Sequence, residues 1–308
     1  MRLILCLALL ALACVATAST KPDGAPSQLI DKSVITYPRS LGRYSLVEGT
    51  YDPARVADGV SLHYDLADAP HDLRFNIYVY PLGRIDTNKA VTDATIEMEG
   101  EIRTLEQKKE YADLKFSDAV AFDVAAPPSN ILKTDHNNDA PGPDARPAKG
   151  SPAATEPVDN ALLDALHETE PLANTTGRKR ALTLSVRGTP SESLAYVFYR
   201  NLFLISVRAT APISAIPNAE FNVLIDRAVK DLVPRMDIQN FGDCGTVYVS
   251  VGEKSGDKDK DAKAVANQLV RAIGRVAREN CSSKPTPDTA PPAGLARQTI
   301  VYPAGMWK

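Results

Sequence analysis

The chain has 308 residues, of which 44% are hydrophobic and 24% charged, with 17 Gly and 23 Pro. This composition excludes collagen-like, wholly disordered and disulfide-dense scaffold classes. Lys and Arg number 35 against 38 Asp and Glu, so no basic excess exists to collect phosphates and general nucleic-acid binding is excluded.

The first element is an export signal. Met1-Arg2 is a short basic start, and Leu3 to Val15 is an almost pure Leu/Ala run. Ala16-Thr17-Ala18 then supplies a small-x-small cleavage site before Ser19, so residues 1–18 read as a signal peptide. The alternative is lipidation at Cys14, although in Ala11-Leu12-Ala13-Cys14 the leucine stands one place too close to the cysteine. No later segment reaches the roughly 18 apolar residues of a transmembrane helix. The expected location is therefore the periplasm or the exterior, or an envelope membrane if Cys14 carries lipid.

Residues 19–33 are polar and aperiodic and read as a flexible tether, with order beginning near Val34. Gly42–Glu48 and Val60–Asp65 have strand composition, and Leu73–Tyr80 alternates as a half-buried strand does before Pro81-Leu82-Gly83 stops it. A helix is predicted from Thr92 to about Asp113, with Ala94, Met98, Ile102 and Leu105 on its apolar stripe and Glu99–Arg103 as a favourable i,i+4 pair. Phe116–Val124 reads as a strand. Residues 127–160 hold seven Pro and almost no large apolar residues. They read as a disordered insertion, because little burial is available to offset ordering entropy.

Ala181–Val186, Leu194–Tyr199 and Leu202–Thr210 are strands, the last two joined by a tight turn at Arg200-Asn201. A helix runs from Glu220 to about Val233, with Phe221, Leu224, Ile225, Ala228 and Leu232 on one face, and Pro234 ends it. Residues 236–308 read as a small C-terminal unit. It holds a strand at Thr246–Val251 and a helix from about Asp261 to Asn280 with Val265, Leu269, Ala272, Ile273 and Val276 inward. A Pro-rich stretch and a last strand at Thr299–Tyr302 follow. Residues 34–235 then form the main domain.

Four cysteines are present, and Cys6 and Cys14 lie in the signal. Two remaining cysteines in an exported chain, Cys244 and Cys281, read as one disulfide. A nucleophilic thiol wants a base, and no His follows residue 167; zinc wants four ligands, and no second Cys/His pair is present.

Strands arrive in runs rather than alternating with helices, which favours α+β with an antiparallel sheet flanked by helices. Over Val60–Val233 this order of elements resembles the PsbP-like fold of exported accessory proteins. The resemblance implies a central antiparallel sheet and a non-catalytic accessory or binding role. It carries no functional residue over.

Motifs of chemistry are few. The sequence has no Gly-x-Ser-x-Gly, no His-Glu-x-x-His, no Walker-type loop and no Gly-x-Gly-x-x-Gly. His63, His71, His136 and His167 form no ligand-spaced pair; His71 is the best base among them. Ser255-x-x-Lys258 and Tyr199-x-Asn201 occur in the reverse of the order serine enzymes use, without Lys-Thr-Gly. Asp135/Asn137/Asp139 and Asp257/Asp259/Asp261 have calcium-loop spacing. Ala140 and Ala262 stand where the loop needs Gly, and Arg146 and Gln268 where it needs Glu. They read as a solvated loop and an acidic helix start. Asn174-Thr175-Thr176 is a glycosylation sequon.

The reading assigns no catalytic residue, no cofactor and no metal ligand. It expects an exported, non-enzymatic binding or accessory protein of the cell envelope, whose partner is an envelope protein or a small ligand. The alternatives are an exported hydrolase whose residues meet only in the fold, and a lipid-anchored subunit using the Pro-rich insertion as its contact.

Overall fold

The structure, a computed structural model, describes residues 29–67, 69–125, 174–247, 258–283 and 290–307. The signal peptide, Cys14, residues 19–28 of the tether, the 127–160 insertion, His136, His167, the Asp135 loop and Ser255 lie outside the described residues. So do residues 248–251 of the strand expected at Thr246–Val251.

The chain folds as α+β, dominated by antiparallel sheet. In chain order the strands are β1 (Lys32–Pro38), β2 (Ser40–Leu41), β3 (Tyr44–Tyr51), β4 (Val60–Leu66), β5 (Arg74–Pro81), β6 (Tyr111–Phe116), β7 (Val120–Ala121) and β8 (Val124–Ala125). They continue with β9 (Asn174–Thr175), β10 (Gly177–Val186), β11 (Thr189–Arg200), β12 (Phe203–Pro212), β13 (Asp237–Phe241), β14 (Cys281–Ser282) and β15 (Leu295–Val301). The helices are α1 (Thr87–Gln107), α2 (Asn218–Leu232) and α3 (Lys258–Arg278). The large sheet runs β2-β3-β4-β5-β12-β11-β10-β6, with β7 also on β10. A second sheet runs β14-β13-β1-β15.

The centre of the large sheet is the β11–β12 hairpin, pairing from Ser191↔Pro212 to Arg200↔Phe203. Its two-residue turn is Asn201-Leu202, at φ 52° and 70°, one residue later than the sequence suggests. Left-handed φ at both positions matches the twist of the flanking strands. A leucine is held there because it is buried and its carbonyl accepts from the amides of Leu82 and Gly83, both at 2.9 Å.

Helix α1 starts and ends about five residues earlier than its periodicity suggests. Asp86 Oδ1 accepts from the Lys89 amide at 2.9 Å and caps the first turn. Beyond Gln107, Tyr111–Phe116 is drawn onto the edge of β10 as β6. The helix buries Ala94, Met98 and Ile102 against Leu182, Leu184, Ala195, Val197 and Leu204 on one face of the sheet. The opposite face carries Phe75, Ile77, Phe198, Ile205 and Val207. It packs on Phe221, Ile225, Ala228, Val229 and Leu232 of α2 and on Ile35, Ile238 and Ile300 of the second sheet.

The second sheet corrects the expected division of the chain. β1 pairs antiparallel with β13 on one side and with β15 on the other. Residues 236–308 therefore share a sheet with residues 32–38 and are not a separate unit. The tether is also shorter than expected, since Ile30 and Ser33 are fully buried. Ser33 Oγ donates to Asn240 Oδ1 at 2.6 Å, and Tyr302 Oη donates to Ser33 Oγ at 3.1 Å. Cys244 and Cys281 stand at disulfide distance, with Cα atoms 5.7 Å apart, and tie the turn after β13 to β14. The inward face expected of α3 is only partly inward: Ala272 is buried, while Leu269 and Ile273 are 41% and 52% exposed. No helix among the described residues is long and apolar enough to cross a membrane.

Candidate functional site

Strand alternation dictates where polar chemistry collects. In β4, Val60, Leu62, Tyr64 and Leu66 point into the core, so Ser61, His63 and Asp65 point the other way. In β5, Phe75, Ile77 and Val79 point in, leaving Arg74 and Asn76 on the same outer face. α1 covers that face over β10, β11 and β12 and stops short of β3 and β4. Among the described residues, the part that α1 leaves bare is a half-open groove of about 780 Å³. Ala67, Ala69, Pro70 and His71 line one side, and Arg43 contributes to another. A bulge between Leu46 and Glu48 bends β3 at the rim.

The floor is an ordered grid. Glu48 pairs with His63 and His63 with Asn76 across three strands; Thr50 pairs with Ser61 in the next row. His63 Nδ1 and Asn76 Oδ1 are 3.0 Å apart. A carbonyl oxygen only accepts, so the imidazole proton of this bond sits on Nδ1. Nε2 lies 3.9 Å from Asp65 Oδ1.

His63 and His71, distant in the sequence reading, thus line one groove. His63 meets the Asn76 amide rather than a serine hydroxyl, and His71 is exposed on the wall. The serine-enzyme fragment Tyr199-x-Asn201 serves structure: Tyr199 Oη donates to the Gly83 carbonyl at 2.5 Å, and Asn201 Nδ2 to the Ile238 carbonyl at 3.0 Å. Between them Arg200 is buried, which pushes its pKa down to about 10, and its Nη2 donates to the Met236 carbonyl at 2.5 Å. Asp237, beside it, has its carboxyl raised by the same burial. Among the described residues no group of three or more His, Cys, Asp or Glu could hold a metal ion. Asn174 of the sequon is exposed at β9.

Arg74, Asn76 and Ser61 were not singled out by sequence reasoning. The available signal was the polar half of two alternating strands with too few amphipathic helices to cover them. No protein-family model matches the chain, and no curated protein matches its sequence significantly.

Proposed function

We propose that this chain is an exported, non-enzymatic binding protein of the cell envelope, and that the groove over β3, β4 and β5 is its ligand site. The observation that carries the reading is a half-open polar concavity of about 780 Å³ on the sheet, within the size range of small-molecule sites. Binding is favoured over hydrolysis because the His63 side chain meets Asn76 at 3.0 Å and, among the described residues, no serine, whereas a serine nucleophile needs its base within hydrogen-bond reach. Export is supported by the Leu3–Val15 run, the Ala16-Thr17-Ala18 site and the Cys244–Cys281 pair.

The test incubates the purified protein with the small-molecule fraction of its native envelope and releases what is retained by denaturation for mass spectrometry. A solute retained by the wild type and lost in Ser61→Trp, which fills the groove, is the expected result. Equal retention by Ser61→Trp overturns the site, and conversion of the solute to a product overturns the non-enzymatic reading. The intact mass of the native protein settles export: a start at Ser19 means a soluble factor, and a start at acylated Cys14 means a tethered one.

A further inference from the structure

Resting on the groove as a binding site, we infer that its ligand class is a neutral carbohydrate. Glu48 and Asp65 place ionised carboxylates, which only accept, on the exposed face of the floor and rim. Arg74, which only donates, stands on the same face and has no ion-pair partner among the described residues. Tyr64↔Phe75 is the end pair of the β4–β5 ladder; Asp65 follows Tyr64 and Arg74 precedes Phe75, so opposite charges stand on neighbouring strands just beyond that pair. An anionic ligand would meet Glu48 and Asp65, and a cationic one would meet Arg43 and Arg74. A hydroxyl both donates and accepts, so it satisfies either kind of group.

The spacing fits this chemistry as well. Neighbouring strands place side chains about 4.8 Å apart across the sheet, and alternate residues stand about 6.8 Å apart along it. Glu48, His63 and Asn76 form one row of this grid, and Thr50 and Ser61 part of the next. A rigid ring bearing hydroxyls on several carbons can meet such a grid with two or three polar contacts at once. Planar carboxylate, amide and guanidinium groups each take two adjacent hydroxyls in a bidentate manner. The groove's volume admits more than one sugar ring.

The experiment titrates the disulfide-bonded protein with maltose, cellobiose, lactose and chitobiose, with citrate and putrescine as charged comparators, and follows backbone amide shifts by NMR. At least one saccharide should move the amides of Ser61, His63 and Asn76 at millimolar concentration, with little dependence on added salt. Arg74→Gln and Asp65→Asn should each weaken that binding about tenfold or more, while amide shifts outside the groove confirm that both variants are folded. Citrate or putrescine binding more tightly than every saccharide would leave the groove as a ligand site and sink the carbohydrate inference alone. The same inference falls if no saccharide perturbs the groove, or if both variants bind as the wild type does.

Discussion

Removing the Cys244–Cys281 link offers the most direct check on how the C-terminal part is held. The cysteines are 37 residues apart in sequence, and closing a loop of that length in the unfolded chain stabilises the native state by about 4 kcal/mol on the chain-entropy reckoning. The structure says what else holds this loop. Arg84 meets Glu279 in a two-pronged pair at 2.6 Å on each side, and the Glu279 side chain is only 10% exposed. Asn240 Nδ2 donates to the Glu279 carbonyl at 2.7 Å, and Asn280 Nδ2 to the Ile238 carbonyl at 2.8 Å. These contacts belong to the native state, whereas the disulfide acts on the unfolded one. On that account the two effects add, and a departure from the sum reports coupling through the 4.0 Å approach of Cys281 Sγ to Glu279 Oε2. In urea titrations, Cys244→Ser/Cys281→Ser should lose roughly 3–4 kcal/mol. Glu279→Gln should lose about 1–2 kcal/mol, held down because Arg84 is 43% exposed and can rehydrate. The combined variant should lose about the sum. A cysteine variant with an unchanged midpoint would refute the entropic reasoning. A combined loss well below the sum would show that the disulfide works by positioning Glu279.

Three further substitutions probe the sheet. Tyr196 Oη donates to Asp226 Oδ1 at 2.6 Å beside Lys179, so Tyr196→Phe should cost about 1–2 kcal/mol in denaturant unfolding. Glu99 is held below the usual carboxylate range, first by its hydrogen bond from Arg103 and then by Arg180. A depressed folded value means its contribution is present above the unfolded value of 4.5 and is lost as pH falls through the folded one. Glu99→Gln should therefore lower stability at pH 7 by about 1 kcal/mol or less, and the gap to wild type should close in melts run below that range. Gly59 has φ 65°, and a Cβ there would stand 2.0 Å from the Val79 carbonyl oxygen. Gly59→Ala should cost roughly 3 kcal/mol or more, read as a lowered thermal midpoint.

What was legible in the sequence follows from range. The β11–β12 hairpin announced itself because Leu194–Phe198 and Phe203–Val207 are buried on both faces and so read as continuous apolar and aromatic runs. The α2 stripe was legible for the same local reason, and the disulfide followed from counting. β1 was not legible as the centre of a sheet. Its partners lie some two hundred residues away in Asp237–Phe241 and Leu295–Val301, and nothing in Lys32–Pro38 encodes a partner at that distance. Nor could the extent of α1 be judged before Asp86 was seen to cap it. The His63–Asn76 contact crosses two strands whose register is fixed by the core residues on their other face.

Geometry explains why the groove lies where it does. Eight strands in series span about 34 Å at roughly 4.8 Å per step, whereas a helix with its side chains is about 10 Å across. A face covered by one helix must leave much of its width bare. The core face solves this with α2 and a whole second sheet; among the described residues the other face has α1 alone, seated over β10 to β12. Bare strands must then be polar for solubility, so the polarity of Ser61, His63, Asp65, Arg74 and Asn76 alone does not distinguish a binding surface from a solvated one. Concavity does. Arg43, Ala67, Ala69, Pro70 and His71 and the bulged β3 line a half-open hollow around residues that solubility alone would leave on an open plane. Filling that hollow with Ser61→Trp tests its role without altering the core face, since Ser61 lies on the side of β4 opposite Val60 and Leu62.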